Sequence, residues 1–258
     1  MKHVFYKYQG TGNDFVMIDN RDESFPKSDS NLVAFLCDRR FGIGADGLIL
    51  LENDSETDFK MVYYNADGNQ STMCGNGGRC LVAFAAELGV IQQTARFMAV
   101  DGLHTASITD GVVKLQMQNV SELKLKEAYT FLDTGSPHHV QLVDDVQQFN
   151  VVKEGARLRY GLYGKSGSNI NFVTPKGVNM FDVRTYERGV EDETYSCGTG
   201  VTAVALAMHN LGNTNENNVA VQTKGGVLTV QFEASEKGYE QVYLSGPATL
   251  VYKGEIAW

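Results

Sequence analysis

Cys74–Gly89, CGNGGRCLVAFAAELG, and Cys197–Gly212, CGTGVTAVALAMHNLG, decide the reading of this chain. Each starts with a cysteine, carries glycine at the next position and again two further on, and closes on Leu-Gly after an apolar stretch of helical length. The spacing from cysteine to closing glycine is the same in both, and glycine just past an apolar run is a common way to end a helix. These stretches, TAVALAM above all, have almost no polar face, so each predicts a helix that runs inside its domain with sheet around it. Upstream of each lies a β-like run and a polar turn, DFKMVYYNADGNQSTM and MFDVRTYERGVEDETYS; downstream come the strand-like AVDGLHTASI and VQTKGGVLTV. A unit repeated once, at close to half the length of 258 residues, predicts two similar domains rather than a solenoid.

The remaining sequence fits that division. HVFYKYQG, GLILLEN, DFKMVYYN, HTASITDGVVKLQM, HHVQLVDD, NINFVTP, GVNMFDVRTYERG, GVLTVQFE and EQVYLSG read as short strands, and SNLVAFLCDRRFGIG as a short amphipathic helix ending near Gly42. The expected fold is α/β: two pseudo-symmetric domains, each a mixed, mostly antiparallel sheet wrapped around a central helix. The polar stretch QNVSELKLKEAYT is the expected linker and the chain crosses back near SGPATLVYKGEIAW. The domains expected are therefore 1–119 with 248–258, carrying Cys74, and 120–247, carrying Cys197.

Composition restricts the partner. A hydrophobic content of 43% supports a packed core, while a net charge of −9 gives no electrostatic basis for binding nucleic acid or an acidic membrane. Neither a signal peptide nor a membrane-spanning run is legible, so the expected setting is cytoplasmic and the expected partner a small molecule. The 4 cysteines then read as reduced thiols. Cys37 and Cys80 read as small apolar fillers, and Cys74 and Cys80 lack the CxxC spacing of a zinc hairpin.

A lone cysteine before glycines reads as readily as a packing residue; the repeated pair points to chemistry. A thiol at a helix N-terminus is favoured as thiolate by the dipole and unpaired N–H groups, and those groups can also receive a carboxylate. Two such thiols facing one ligand suit inversion at a carbon bearing a proton and a carboxylate. One thiolate removes the proton while the other thiol delivers one to the opposite face. A thiol pKa of about 8.5, lowered locally, allows both roles near neutrality without pyridoxal phosphate.

The chain resembles the diaminopimelate epimerases over nearly its whole length. The resemblance is carried, in order, by GTGNDFVMID (10–19), RRFGIGADG (39–47), NADG (65–68), MCGNGGRC (73–80), SPHH (136–139), GVN (177–179), TYERGVEDETYSCGTG (185–200) and GPA (246–248). It implies a cofactor-independent conversion of LL-diaminopimelate to the meso form by Cys74 and Cys197, and it allows a homodimer. It also implies that Asn13, Asn65, Asn179, Glu187 and Arg188 hold the substrate, above all its distal end. The helix-start residues Gly75, Asn76, Gly198 and Thr199 would receive the reacting carboxylate, with His138 in support. Ser136 stands where the family commonly has asparagine, Gly47 where some members have glutamine, and Met73 in place of a polar residue; Asp192 and Ser196 depart from the commoner GETxAC form. A serine there would lose a distal contact or make it through water. A cofactor-independent racemase of another amino acid and a noncatalytic amino-acid-binding protein are the alternatives.

Overall fold

The computed structural model describes residues 2–71 and 73–258. The chain divides into two compact units, one running up to Leu115 and resuming at Pro247–Trp258, the other Gln116–Gly246.

The first unit begins with β1 (Lys2–Gly10) and β2 (Asn13–Asp19), followed by α1 (Ser30–Cys37), β3 (Gly47–Glu52) and β4 (Phe59–Asn65). It continues through α2 (Gly75–Glu87), β5 (Thr94–Ala99), β6 (Gly102–Thr109) and β7 (Val112–Gln116). Neighbouring strands alternate in sense: β1 and β2 antiparallel, β2 and β3 parallel, β3 and β4 antiparallel, β4 and β5 parallel, then β5, β6 and β7 antiparallel. Each parallel pair needs a crossover, and α1 and α2 supply them.

The second unit repeats this order. It comprises β8 (Leu123–Leu125), β9 (Thr130–Asp133), β10 (Pro137–Leu142), α3 (Val151–Tyr163), β11 (Asn169–Gly177) and β12 (Met180–Glu187). After these come β13 (Asp192–Thr194), α4 (Gly198–Asn210), β14 (Asn218–Thr223), β15 (Gly226–Ser235) and β16 (Gly238–Pro247). β9 and β10 are antiparallel, β10 and β11 parallel, β11 and β12 antiparallel, β12 and β14 parallel, and β14, β15 and β16 antiparallel. Here α3 and α4 are the crossovers. The last strand, β17 (Thr249–Ala257), returns to the first unit as the antiparallel neighbour of β1.

The two repeated stretches form α2 and α4, and each helix is buried on every side over most of its length. α2 packs against β1, β2, β3, β6 and β17, and α4 against β9, β10, β11, β12, β14 and β15, so each sheet curls about its own helix. Both helices end on leucine followed by glycine at positive φ, +71° at Gly89 and +73° at Gly212. That is the left-handed step glycine takes at least cost. The mixed, mostly antiparallel sheet around a central helix is the architecture expected from the sequence.

Two features differ from the sequence reading. α1 stops at Cys37, because Asp38 leaves the helix and its carboxylate accepts from the amides of Arg40 and Phe41 at 2.7 Å each, turning the chain well before Gly42. The second is α3, which the sequence reading left out. Its Val151 and Leu158 join Ile170, Phe172 and Tyr186 in a core, and Gly155 lets it lie against β12: a Cβ there would sit 2.4 Å from that of Tyr186.

Candidate active site

In the first unit, Cys74 occupies the N-cap position of α2 with extended backbone (φ −104°, ψ 129°), and its side chain caps no amide of the helix. The first turn contains no acidic residue, and the leading amides of a helix have no acceptor within the helix itself, which suits this end to an anion. The thiol lies 3.6 Å from Oδ1 of Asn13, which also accepts from the side-chain amide of Asn76 at 3.2 Å. The orientation of Asn13 is fixed from behind, because its Nδ2 donates to Asp46 at 2.7 Å. Its oxygen therefore faces Cys74, which as a thiol donates to it.

Asp46 belongs to a charged cradle that secures this end of β2. Arg39 makes a two-pronged bond to Asp14 at 3.0 and 2.7 Å and reaches Asp46 at 2.7 Å, while Lys7 pairs with Asp14 at 2.6 Å. Burial alone would push the Asp14 carboxyl up, but the bonds from Arg39 and Lys7 outweigh it and hold the group at about 2. Asn65 is exposed at the end of β4, in register with Gly47, which in turn pairs with Phe15 two residues beyond Asn13. Gly47 admits no side chain: a Cβ would lie 2.6 Å from both the Tyr63 ring and the Tyr64 carbonyl. Met73 packs by its sulfur over Gly78, and its amide donates to the carboxylate of Asp101.

In the second unit, Cys197 is the N-cap of α4 (φ −119°, ψ 110°), again without capping an amide and again with no acidic residue in the first turn. Its sulfur is 3.5 Å from Thr199 Oγ1, and that hydroxyl is 2.9 Å from His138 Nε2. Asn171 sets the tautomer of the histidine. Asn171 must turn its NH₂ toward the His139 carbonyl (2.9 Å), and the same NH₂ then donates to His138 Nδ1 at 3.1 Å. With Nδ1 accepting, the imidazole proton sits on Nε2 and points at Thr199, leaving the threonine proton for the sulfur. Burial, aided by the nearby Arg188 charge, lowers the His138 pKa to about 3, so this relay runs through a neutral ring. Thr134 anchors the other side by donating to the Thr199 carbonyl at 2.9 Å.

The glycine two residues beyond the first one of each motif has a packing reason in both copies. A Cβ on Gly77 would lie 2.9 Å from Ile49, and one on Gly200 would lie 2.6 Å from the Asn171 oxygen. The second glycine thus lets the amide that orients His138 approach the helix.

Ser136, Asn169 and Arg188 form a second cluster beside His138. Asn169 Oδ1 accepts from the Arg188 amide at 2.8 Å, which turns its NH₂ to Ser136 Oγ at 3.0 Å. The exposed guanidinium of Arg188 donates to the Ser166 carbonyl at 3.0 Å and reaches Ser136 Oγ at 3.4 Å. Ser136 thus gathers Asn169 and Arg188 by accepting from both. Glu187, at the end of β12, accepts from Thr194 Oγ1 at 2.8 Å. Glu191 steadies the turn after it, taking the Gly189 amide at 3.2 Å and Arg159 of α3 at 3.0 Å.

Asn179 does not belong with these residues. It lies in the turn between β11 and β12, whereas Asn169, Glu187 and Arg188 lie at the other end of the same two strands, eight steps of about 3.3 Å away. Its amide donates to the Asn218 carbonyl and accepts from Thr214 at 3.2 Å, closing a local loop. The asparagine that lies beside Ser136 and Arg188 is Asn169, whereas the sequence reading named Asn179 among the side chains that hold the substrate. The signal was present in NINF, whose two asparagines alternate along a strand beginning directly opposite His138.

The remaining cysteines are inert by environment. Cys37 and Cys80 are buried, and burial raises both thiols to about 12. No disulfide joins any of the four cysteines. No helix among the described residues is long and apolar enough to cross a membrane, and those residues contain no group of three or more His, Cys, Asp and Glu arranged to hold a metal ion.

A family model described as Diaminopimelate epimerase matches residues 5–122 and 130–251. Among curated relatives, the diaminopimelate epimerase of Flavobacterium psychrophilum is 59% identical over 97% of this chain and 99% of its own. Those of Chlorobaculum tepidum and Aquifex aeolicus are 42% and 40% identical, over 96% and 98% of this chain and 98% and 97% of theirs. Solved structures share the fold at low identity. A Bacillus anthracis phenazine biosynthesis protein of the PhzF family superposes with a TM-score of 0.81 at 12% identity, each chain fully covered. A probable proline racemase from Agrobacterium radiobacter follows at 0.73 and 15%, covering 98% of this chain and 92% of its own.

Fold, repeated thiol motif and relatives together define an isomerase of the two-unit α/β kind. The chain belongs to the diaminopimelate epimerase family.

Proposed function

We infer that the chain interconverts LL- and meso-diaminopimelate by proton transfer between two thiols, a step in the making of lysine and peptidoglycan precursors. The carrying observation is the duplicated helix start, where Cys74 and Cys197 each stand uncapped at the mouth of a buried helix whose first turn holds no acid. The two compact units act as the epimerase domains, each supplying one thiol.

One thiolate takes the α-proton, the C–H electron pair passes into the carboxylate, and the other thiol returns a proton to the opposite face of the carbon. No electron is gained or lost, and the reverse reaction exchanges the two roles. The amides around Gly75–Asn76 and Gly198–Thr199 receive the carboxylate as its charge grows, which is where preorganised donors contribute most. The distal amino-acid end falls to the polar side chains. Asn169, Ser136 and Arg188 supply donors, Glu187 an acceptor for ammonium, and Asn13 and Asn65 the polar groups of the first unit. Since the two thiols must stay reduced, a reducing, cytoplasmic setting suits the enzyme.

The substrate assignment is tested by comparing turnover of LL-diaminopimelate with racemisation of proline, histidine, glutamate and aspartate by the reduced protein. A strong preference for diaminopimelate is expected. Faster racemisation of any of the four single-centre amino acids overturns the assignment.

A further inference from the structure

The two copies of the motif differ at the fifth residue after the cysteine, which is Arg79 in α2 and Thr202 in α4. Both side chains reach back to the carbonyl of the residue following the cysteine: Arg79 Nη1 to Gly75 at 3.3 Å and Thr202 Oγ1 to Gly198 at 3.0 Å. One is a cation and the other is neutral. Arg79 is wholly buried, its Nη2 donates to Thr11 at 3.3 Å, and its Nε meets no acceptor among the described residues. Gly10 makes room for the guanidinium, since a Cβ there would lie 3.2 Å from Nη2. Among the described residues no carboxylate pairs with it, and a cation fully removed from water without a counter-ion is costly to maintain. The ionisable groups that face it are the thiols of Cys80, which burial keeps protonated, and of Cys74.

We propose that Arg79 is a positioning residue for Cys74: its buried guanidinium is the charge that lets this thiol ionise, taking in the first unit the part that the His138–Thr199 relay takes for Cys197. This rests on the two-thiol reading above. Cys74 needs such help because Asn13 presents it with an acceptor, which favours the protonated thiol.

The other charged and titratable groups around α2 do not fill that role. On β1, Lys7 is occupied by Asp14, and burial pushes the Tyr8 hydroxyl up, keeping it neutral. Asp14 on β2 is itself an anion, as is Asp101 beside β6, which is bonded to His104 at 3.2 Å and to the Met73 amide. Both carboxylates oppose a thiolate. Glu52 on β3 pairs with Lys27, and Lys253 on β17 lies over the Tyr6 ring. Glu87, at the far end of α2, is an anion separated from Cys74 by the length of the helix.

The test is the pH dependence of iodoacetamide alkylation without substrate, in which Cys37 and Cys80 stay silent because they are buried. In the C197S protein, which reports Cys74, the midpoint is expected below the ordinary thiol value of about 8.5. Adding R79M should raise it by about one pH unit, a tenfold loss of thiolate, while R79K should restore it. In the C74S protein, which reports Cys197, R79M should leave the midpoint where it was. An unmoved Cys74 midpoint in folded R79M, or an equal shift at Cys197, overturns the proposal. Should R79M not fold, a Cys74 midpoint above the ordinary value in the C197S protein with native Arg79 overturns it equally. A chain that alkylates as expected yet leaves LL-diaminopimelate unchanged would overturn the substrate reading and not the role of Arg79.

Discussion

His138 Nε2 lies 2.9 Å from the hydroxyl of Thr199, which in turn lies 3.5 Å from the sulfur of Cys197. Because Asn171 donates to the other ring nitrogen, every proton in this series points toward the thiol. Replacing Thr199 with valine keeps the shape and removes the last donor. Valine should therefore lower kcat/KM by about tenfold, in line with one lost hydrogen bond to a charged group. It should also raise the alkylation midpoint of Cys197 in a C74S background. An unchanged midpoint would mean that the hydroxyl does not serve the sulfur.

The same histidine ties stability to pH. Its folded pKa, about 3, lies below the unfolded value of about 6.5, so between these limits the unfolded chain binds more protons and stability rises with pH. The contribution is complete above about 6.5 and is lost progressively as the pH falls toward 3. Denaturant unfolding at pH 5 should therefore give up to about 2 kcal/mol less stability from this residue than at pH 7.5. The H138Q protein should lack that part of the loss, and an identical pH dependence in both proteins would contradict the assignment.

Asn169 and Asn179 make an internal comparison. Asn169→Ala removes the group that holds both Ser136 and the Arg188 amide, so KM should rise about tenfold, with kcat less affected. Asn179→Ala opens the loop tied to Thr214 and Asn218 and should cost about 1 kcal/mol of stability with kinetics unchanged. Steady-state kinetics and thermal unfolding of the two variants distinguish these outcomes. The reverse pattern would return Asn179 to the substrate.

The central helices could be read from the sequence because α2 and α4 carry their signals locally: a small-residue start, an apolar body without a polar face, and a closing glycine. The two thiols stand out in the sequence because the motif that carries them occurs twice. α3 was missed for the opposite reason. VVKEGARLRYGLY is polar on one side and holds two glycines, one of which exists only to fit Tyr186, a partner supplied by a distant strand. Its place was nevertheless implied by the repeat, since α1 already makes the matching crossover in the first unit. Asn169 was missed because three asparagines in eleven residues, Asn169, Asn171 and Asn179, look alike until strand register puts two beside His138 and the third at the opposite end. Arg79 lay inside the motif itself, but charged residues on helices usually face water, and only the enclosing sheet shows that this one does not.

The two-thiol account is tested most directly by following deuterium at the α-carbon when LL-diaminopimelate is incubated in deuterated water with the reduced protein and with its C74S and C197S variants. The native protein should yield meso product carrying deuterium at the inverted centre, and each serine variant should fail to invert it, since each lacks the proton-transfer group of one face. Meso product without deuterium, or full turnover by either variant, would contradict the account.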